Sequence, residues 1–419
     1  MPHLIKNNVG REQIKSAFLG FRLYDLAIWL FLGLLIGVPI GLASALFLYC
    51  LDCITQLREM NLWLIVLLPI SGILIGYLYF LSDAQADLGN NLIFQEYFFP
   101  QKRMPFIMAP LILFTTLLSH LVGASVGREG SAIQMGAVIA DRFSFLKEKF
   151  NQERGSFLMA GVGAGFASLF GTPWAGAIFA LEILRTKTIS WHSILPTLIT
   201  SFMAYFTCTF TQAPHTKYAV IEAPEFTFGN LSYLFFLGAI FGLTAYIYIQ
   251  CHHFFSNLAQ KMVSKKLWRP FVGGVALFLV YWFLDDSRYM GLGIPTIIES
   301  FQVQVQPYDF VMKLVLTAFA LGFGFKGGEV TPLFFMGATL GNALATFVPL
   351  PTAFVASLGF ISLFSGATKT FIACTVMGAE LFGLDAVPYY LLVTFLAQLF
   401  SGKASIYRDQ PGNKLSIFG

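Results

Sequence analysis

VGREGSAIQMGA, residues 126–137, interrupts an apolar chain with two opposite charges set between two glycines. Arg128 and Glu129 lie between Gly127 and Gly130, and an apolar helical run follows. The first N–H groups of a helix lack intrahelical partners and carry the positive end of its dipole, so such a start suits an anion. Glycine lets the backbone approach a ligand closely. Two more stretches share this pattern, GNNLI (89–93) and GGEVTP (327–332). Three such starts predict backbone donors converging on a small anion. A phosphate loop does not account for them, because G-x-x-x-x-G-K-[ST] is absent and GVGAG (161–165) lacks the lysine.

Around these motifs the chain reads as a membrane protein. Of its 419 residues 56% are apolar and 11% charged, and the mean hydropathy is +0.70. A soluble domain of this size needs far more charge to cover its surface. Some apolar runs, such as 26–49 and 231–251, can cross a bilayer as helices. Others, such as 353–364, 371–384 and 388–400, are shorter, which predicts re-entrant or half-membrane helices buried in protein. The expected fold class is therefore an all-α polytopic membrane protein.

The net charge of +4 is no nucleic-acid signature, since the basic residues sit at segment ends. Lys6, Arg11, Lys15 and Arg22 precede the first span, Lys147, Lys149 and Arg154 share one loop, and Lys261, Lys265, Lys266 and Arg269 share another. The positive-inside rule makes these segments, and the N-terminus, cytoplasmic. Residues 1–24 read as an amphipathic interfacial segment without a signal-peptide cleavage site. The five cysteines, including CLDC at 50–53, lack the second pair of a zinc ribbon. None of the six histidines has H-x-x-x-H spacing, so neither metal nor cofactor is expected. His252 and His253 are adjacent and read as interfacial.

The chain repeats itself. REGSAIQMGAVIA (128–140) echoes EVTPLFFMGATLG (329–341), and GFASLFG (165–171) echoes GFISLFS (359–365). Glu182 and Glu380 follow the second echo and read as structural. The division is expected within the polar stretch around 212–229, giving membrane repeats at 25–215 and 231–419 with a linker at 216–230. In inverted-repeat transporters the site lies near the bilayer midplane, where broken helices aim their N-termini at the substrate. Gly33, Gly37 and Gly41 form a small-residue face that reads as a helix-packing signal.

A carboxylate inside a membrane is costly and points to an ion or proton pathway. Glu129 stands among donors suited to an anion. Its side chain can occupy the anion's place when ionised and leave when protonated, coupling proton to anion movement. Neighbouring residues on a helix point in different directions, so an Arg128–Glu129 pair is expected to be poor. Arg128 is expected instead to hold loop carbonyls or another acid.

GREGS followed by MGA, with GAGFASLFGTPWAGAIFALEIL (163–184), resembles the CLC family of chloride channels and anion/proton antiporters, over about residues 25–410. The family motifs GSGIP, GREGP and GxFxP correspond here to GNNLI, GREGS and GEVTP, and the family's late tyrosine to Tyr407. The resemblance implies two inverted-topology repeats with broken and re-entrant helices, a homodimer with one pathway per subunit, and Glu129 as gating and proton-carrying glutamate. Asn90 replaces the family's central serine, Glu329 and Thr331 flank Val330 in the GxFxP position, and Ile183 stands where chloride antiporters keep an internal glutamate. These departures resemble the fluoride-exporting branch, which implies fluoride/proton antiport driven by proton influx across a bacterial inner membrane and conferring fluoride resistance. Asn90 and Thr331 offer donors to so hard an acceptor. The expected anion site is Asn90, Gly130, Ser131, Val330, Thr331 and Tyr407, with Glu329 as a second acid for selectivity and for protons or water. Phe94 and Tyr97 are candidates for lining the path. The alternatives on the same scaffold are a chloride/proton antiporter and a passive chloride channel. No Ser-His-Asp pattern supports an enzyme.

Overall fold

The computed structural model describes residues 23–82, 85–150, 152–184, 191–225, 228–284 and 286–410. The amphipathic segment expected at the N-terminus lies, through residue 22, outside the described residues. The first part of the chain forms α1 (Leu23–Met60), α2 (Leu68–Leu81), α3 (Asn90–Phe98), α4 (Met108–Leu121), α5 (Glu129–Arg142), α6 (Arg154–Phe170), α7 (Pro173–Ile183) and α8 (Trp191–Phe210). The second part forms α9 (Phe228–Met262), α10 (Arg269–Leu284), α11 (Ile294–Ser300), α12 (Asp309–Gly322), α13 (Val330–Leu344), α14 (Thr352–Thr368), α15 (Phe371–Phe382) and α16 (Val387–Phe400). A helix satisfies its own backbone, and lipid offers no other partner.

Six helical stretches among the described residues are long and apolar enough to cross a bilayer, including Leu26–Met60 and Gly229–Met262. Helices α4, α7, α14, α15 and α16 are apolar but shorter. The 14 residues of α4 rise about 21 Å, short of a hydrocarbon core of about 30 Å. The fold is thus the expected one, with two inverted-topology repeats and broken helices.

Small residues bring the helices of each repeat together. A Cβ added at Gly136 would collide with the Gly161 carbonyl oxygen, which packs α5 on α6. Likewise a Cβ at Gly337 would collide with the Gly359 carbonyl oxygen, which packs α13 on α14. Gly33, Gly37 and Gly41 of α1 face α8 at Ile199, Met203 and Ala204, as the small-residue face predicted. The echoed phenylalanines meet at the seam between the halves, where Phe166 stacks on Phe364 with centroids 6.2 Å apart and Phe170 lies 5.4 Å from Phe334.

The two structural acids clasp the repeats reciprocally. Glu182, ending α7, accepts from the amides of Ile372 (3.2 Å) and Ala373 (2.6 Å) at the start of α15. Glu380, near the end of α15, accepts from the amides of Trp174 (3.1 Å) and Ala175 (2.8 Å) at the start of α7. Each carboxylate thus supplies two orphan amides of the other repeat with acceptors at a positive helix end.

Candidate functional site

The glycine motifs converge. The Gly127 amide donates to the Gly328 carbonyl (2.6 Å) and the Gly328 amide donates to the Gly127 carbonyl (2.7 Å). This exchange between equivalent residues sets the starts of α5 and α13 head to head. A Cβ at Gly328 would lie 2.5 Å from the Gly130 amide nitrogen and 2.9 Å from that of Glu129, so only glycine leaves these amides uncovered. Asn90, at the start of α3, joins them, because a Cβ at Gly130 would lie 3.2 Å from its Nδ2. Gly89, just before it, has φ +60°, a left-handed turn that glycine adopts without strain.

Glu129 occupies this junction, with its side chain fully withdrawn from solvent. Its Oε2 accepts from the backbone amides of Arg128 (3.0 Å) and Thr331 (3.0 Å), and its Oε1 accepts from the Thr331 hydroxyl. The carboxylate therefore lies across the start of α13, where helix-start donors favour a negative charge. Val330, the first residue of α13, is buried.

The expectation about Arg128 is corrected. Its Nε lies 3.5 Å from Glu129 Oε1, so the adjacent residues do form an ion pair. Arg128 precedes the helix with φ −119° and ψ −21°, and helical side-chain spacing does not apply to it. Its other end reaches Thr216 Oγ1 at 3.5 Å. Arg128 also lines a cleft of about 580 Å³ with Arg58, His215, Lys217 and Arg288, balanced by Asp52 and Glu59.

The remaining predicted residues divide. The Ser131 hydroxyl is engaged by Thr116 Oγ1 of α4 (2.7 Å), so its contribution to the junction is its backbone. Tyr407 is buried, packs its ring on Phe94 with centroids 5.6 Å apart, and lies within electrostatic reach of both Glu129 and Glu329. Tyr97 instead packs edge-on against Phe98 and borders Gly155, away from the junction. Glu329 caps no amide of its own helix with its side chain. Its Oε1 accepts from the Tyr248 hydroxyl (3.2 Å) and lies 3.2 Å from His252 Nδ1, both on α9. His252, expected at an interface, thus reaches the second acid of the site.

Several neighbours went unread in the sequence. Gln134 lies beside Gly89, and both its Oε1 and Asn90 Oδ1 are buried without a protein donor. Its signal was position, four residues after Gly130 on the same helix face. His120 is fully buried with Nε2 3.4 Å from the Gly127 carbonyl. Tyr248 and His252 are likewise four residues apart on one face.

The arrangement brings the starts of two broken helices together in the protein interior, with one acid seated on backbone donors and a second turned to α9. A profile of the family described as "Voltage gated chloride channel" matches residues 80–402. The chain belongs to that CLC family. It is 40% identical over 391 residues to the "Chloride/fluoride channel protein" of Pseudomonas syringae pv. tomato, covering 92% of this chain and 86% of the relative. It is similar to the crystal structure of a CLC-type fluoride/proton antiporter, with a TM-score of 0.88 and 35% identity over 94% of this chain and 99% of the other. A slow cyanobacterial Cl⁻/H⁺ antiporter shares the fold at 18% identity, with a TM-score of 0.78 over 90% of this chain and 96% of the other.

Proposed function

We propose that the chain is a fluoride/proton antiporter that exports fluoride while protons run inward. The observation that carries this reading is the Glu129 carboxylate seated on the Thr331 amide and hydroxyl. An ionised carboxylate and a fluoride ion compete for the same donors. Protonation of Glu129 removes its charge and weakens its hold there, because charge-assisted hydrogen bonds are roughly twice as strong as neutral ones. Fluoride then takes the start of α13, and each exchange carries a proton with it. Asn90 and Thr331 supply donors, the backbone at Gly130, Ser131 and Val330 shapes the site, and Tyr407 closes its side nearest Phe94. Glu329 takes the proton onward.

The relatives support fluoride as substrate: one is named for chloride and fluoride, and the other is a fluoride/proton antiporter. Asn90 and Glu329 in place of the usual motif residues favour fluoride over chloride. The same reading places the protein in a bacterial inner membrane as a homodimer, with the basic loops at 147–154 and 261–269 on the cytoplasmic side. It divides the chain into repeats at 25–215 and 231–419 joined by 216–230, with the amphipathic segment 1–24 in front.

The test is a liposome flux measurement that follows anion efflux and external pH together. Fluoride efflux with opposed proton uptake, and chloride much slower, is the expected result. Chloride moving as fast as fluoride overturns the selectivity. Fluoride moving without protons makes the protein a channel.

A further inference from the structure

Glu329 has a second set of contacts that anion binding does not use. Its carboxylate turns from the junction toward α9, where the Tyr248 hydroxyl and His252 Nδ1 converge on one oxygen, each at 3.2 Å. Tyr248 is fully buried, whereas the His252 side chain keeps 24% of its surface exposed. The three groups therefore run from buried to open. The imidazole of His252 lies nearly parallel to the rings of Tyr248 (centroids 6.5 Å) and His253 (5.9 Å). From His252, α9 continues to Met262, about 15 Å further at 1.5 Å per residue, and ends at the basic loop with Lys265 and Lys266.

We propose that His252 is the proton relay between Glu329 and the water on the basic-loop side, with Tyr248 as the residue that positions the Glu329 carboxylate for the transfer. This rests on the antiport reading above. In the step, protonated Glu329 gives its proton to Nδ1 of neutral His252. The carboxylate remains hydrogen-bonded to Tyr248, and the imidazolium releases its Nε2 proton to water. The ring thereby ends as the other neutral tautomer and resets by rotation or by exchange with water. The groups facing this relay are Cys251 and His253 on α9, Tyr407 and Arg408 after α16, and Glu329 before α13. The arrangement gives the chain a proton route where Ile183 has removed the internal glutamate of chloride antiporters.

The experiment uses the purified full-length protein in liposomes, with fluoride and proton fluxes followed together over a range of pH. His252→Gln keeps a polar side chain of similar reach but cannot titrate, and it is expected to slow coupled flux by about tenfold or more. His252→Ala is expected to be equally slow and to recover part of its flux when free imidazole is added on both sides. Tyr248→Phe is expected to shift the pH of half-maximal flux while leaving the maximum rate closer to wild type. A monodisperse His252→Gln protein with wild-type flux and pH profile overturns the relay. So does a slow His252→Ala protein that imidazole does not restore while His252→Gln is fast, since that marks packing rather than proton transfer. Wild-type fluoride flux without protons overturns the antiport reading itself, and this is seen before any variant is made.

Discussion

At the start of α5, Glu129 folds across onto the neighbouring helix; at the start of α13, Glu329 turns the other way, to α9. The register of the Gly127–Gly328 pair makes these two acids non-equivalent, because Glu129 matches Val330 and Glu329 matches Arg128. The duplicated scaffold therefore carries its two carboxylates one step apart. Glu129 is the first residue of its helix and Glu329 the residue before its helix, so their side chains leave in different directions, one across the helix junction and the other to α9. In the proposed mechanism this common backbone device serves two tasks: competition with the anion in one half and passage of the proton in the other.

Removing the first acid tests this contrast most severely. Glu129→Gln can neither carry a proton nor compete as an anion, so coupled transport is expected to fall by at least about 100-fold, or about 2.7 kcal/mol in barrier. Retained fluoride-driven proton uptake in liposomes would break the comparison outright. Glu329→Gln is expected to cut coupled flux about tenfold while calorimetric fluoride affinity stays within about threefold, since the contacts of this acid lie on α9 and its proposed part in selectivity is to disfavour chloride. An equal loss of affinity would merge the two roles. Thr331→Val keeps the backbone amide and loses the hydroxyl, and is expected to weaken fluoride binding several-fold, about 1 kcal/mol; Thr331→Ser should restore it. The smallest effect belongs to the clasps. Glu182→Gln and Glu380→Gln are each expected to lower the melting temperature by about 2–4 °C, and by similar amounts, with transport within about twofold of wild type. Unequal shifts would show how far the two repeats have diverged.

The convergence of the helix starts is legible in the sequence because it is made of backbone. Glycines placed before apolar runs at 89, 127 and 327–328 mark helix starts, and their convergence follows from the repeat. The broken helices were legible from run length, and the reciprocal acids from their places at the ends of the echoes. The Arg128–Glu129 pair was misjudged because helical spacing was applied one residue too early. The contacts of Glu329 on α9 are not legible. Tyr248 and His252 meet Glu329 across about 80 residues of chain, and an i, i+4 pair on a long apolar helix carries no motif. Gln134 and His120 were hidden in the same way, since their partners are backbone or amide groups of other segments.

The exchanged clasps also bear on how the chain is made. The amides of Trp174 and Ala175 take their acceptor from Glu380, a residue translated long after them. Until then α7 enters the bilayer with its leading amides lacking that acceptor, and an unsatisfied amide in lipid costs several kcal/mol. The α7 start therefore gains this acceptor only once α15 has been made. A chain truncated before Glu380 is expected to leave the Trp174 and Ala175 amides without that acceptor.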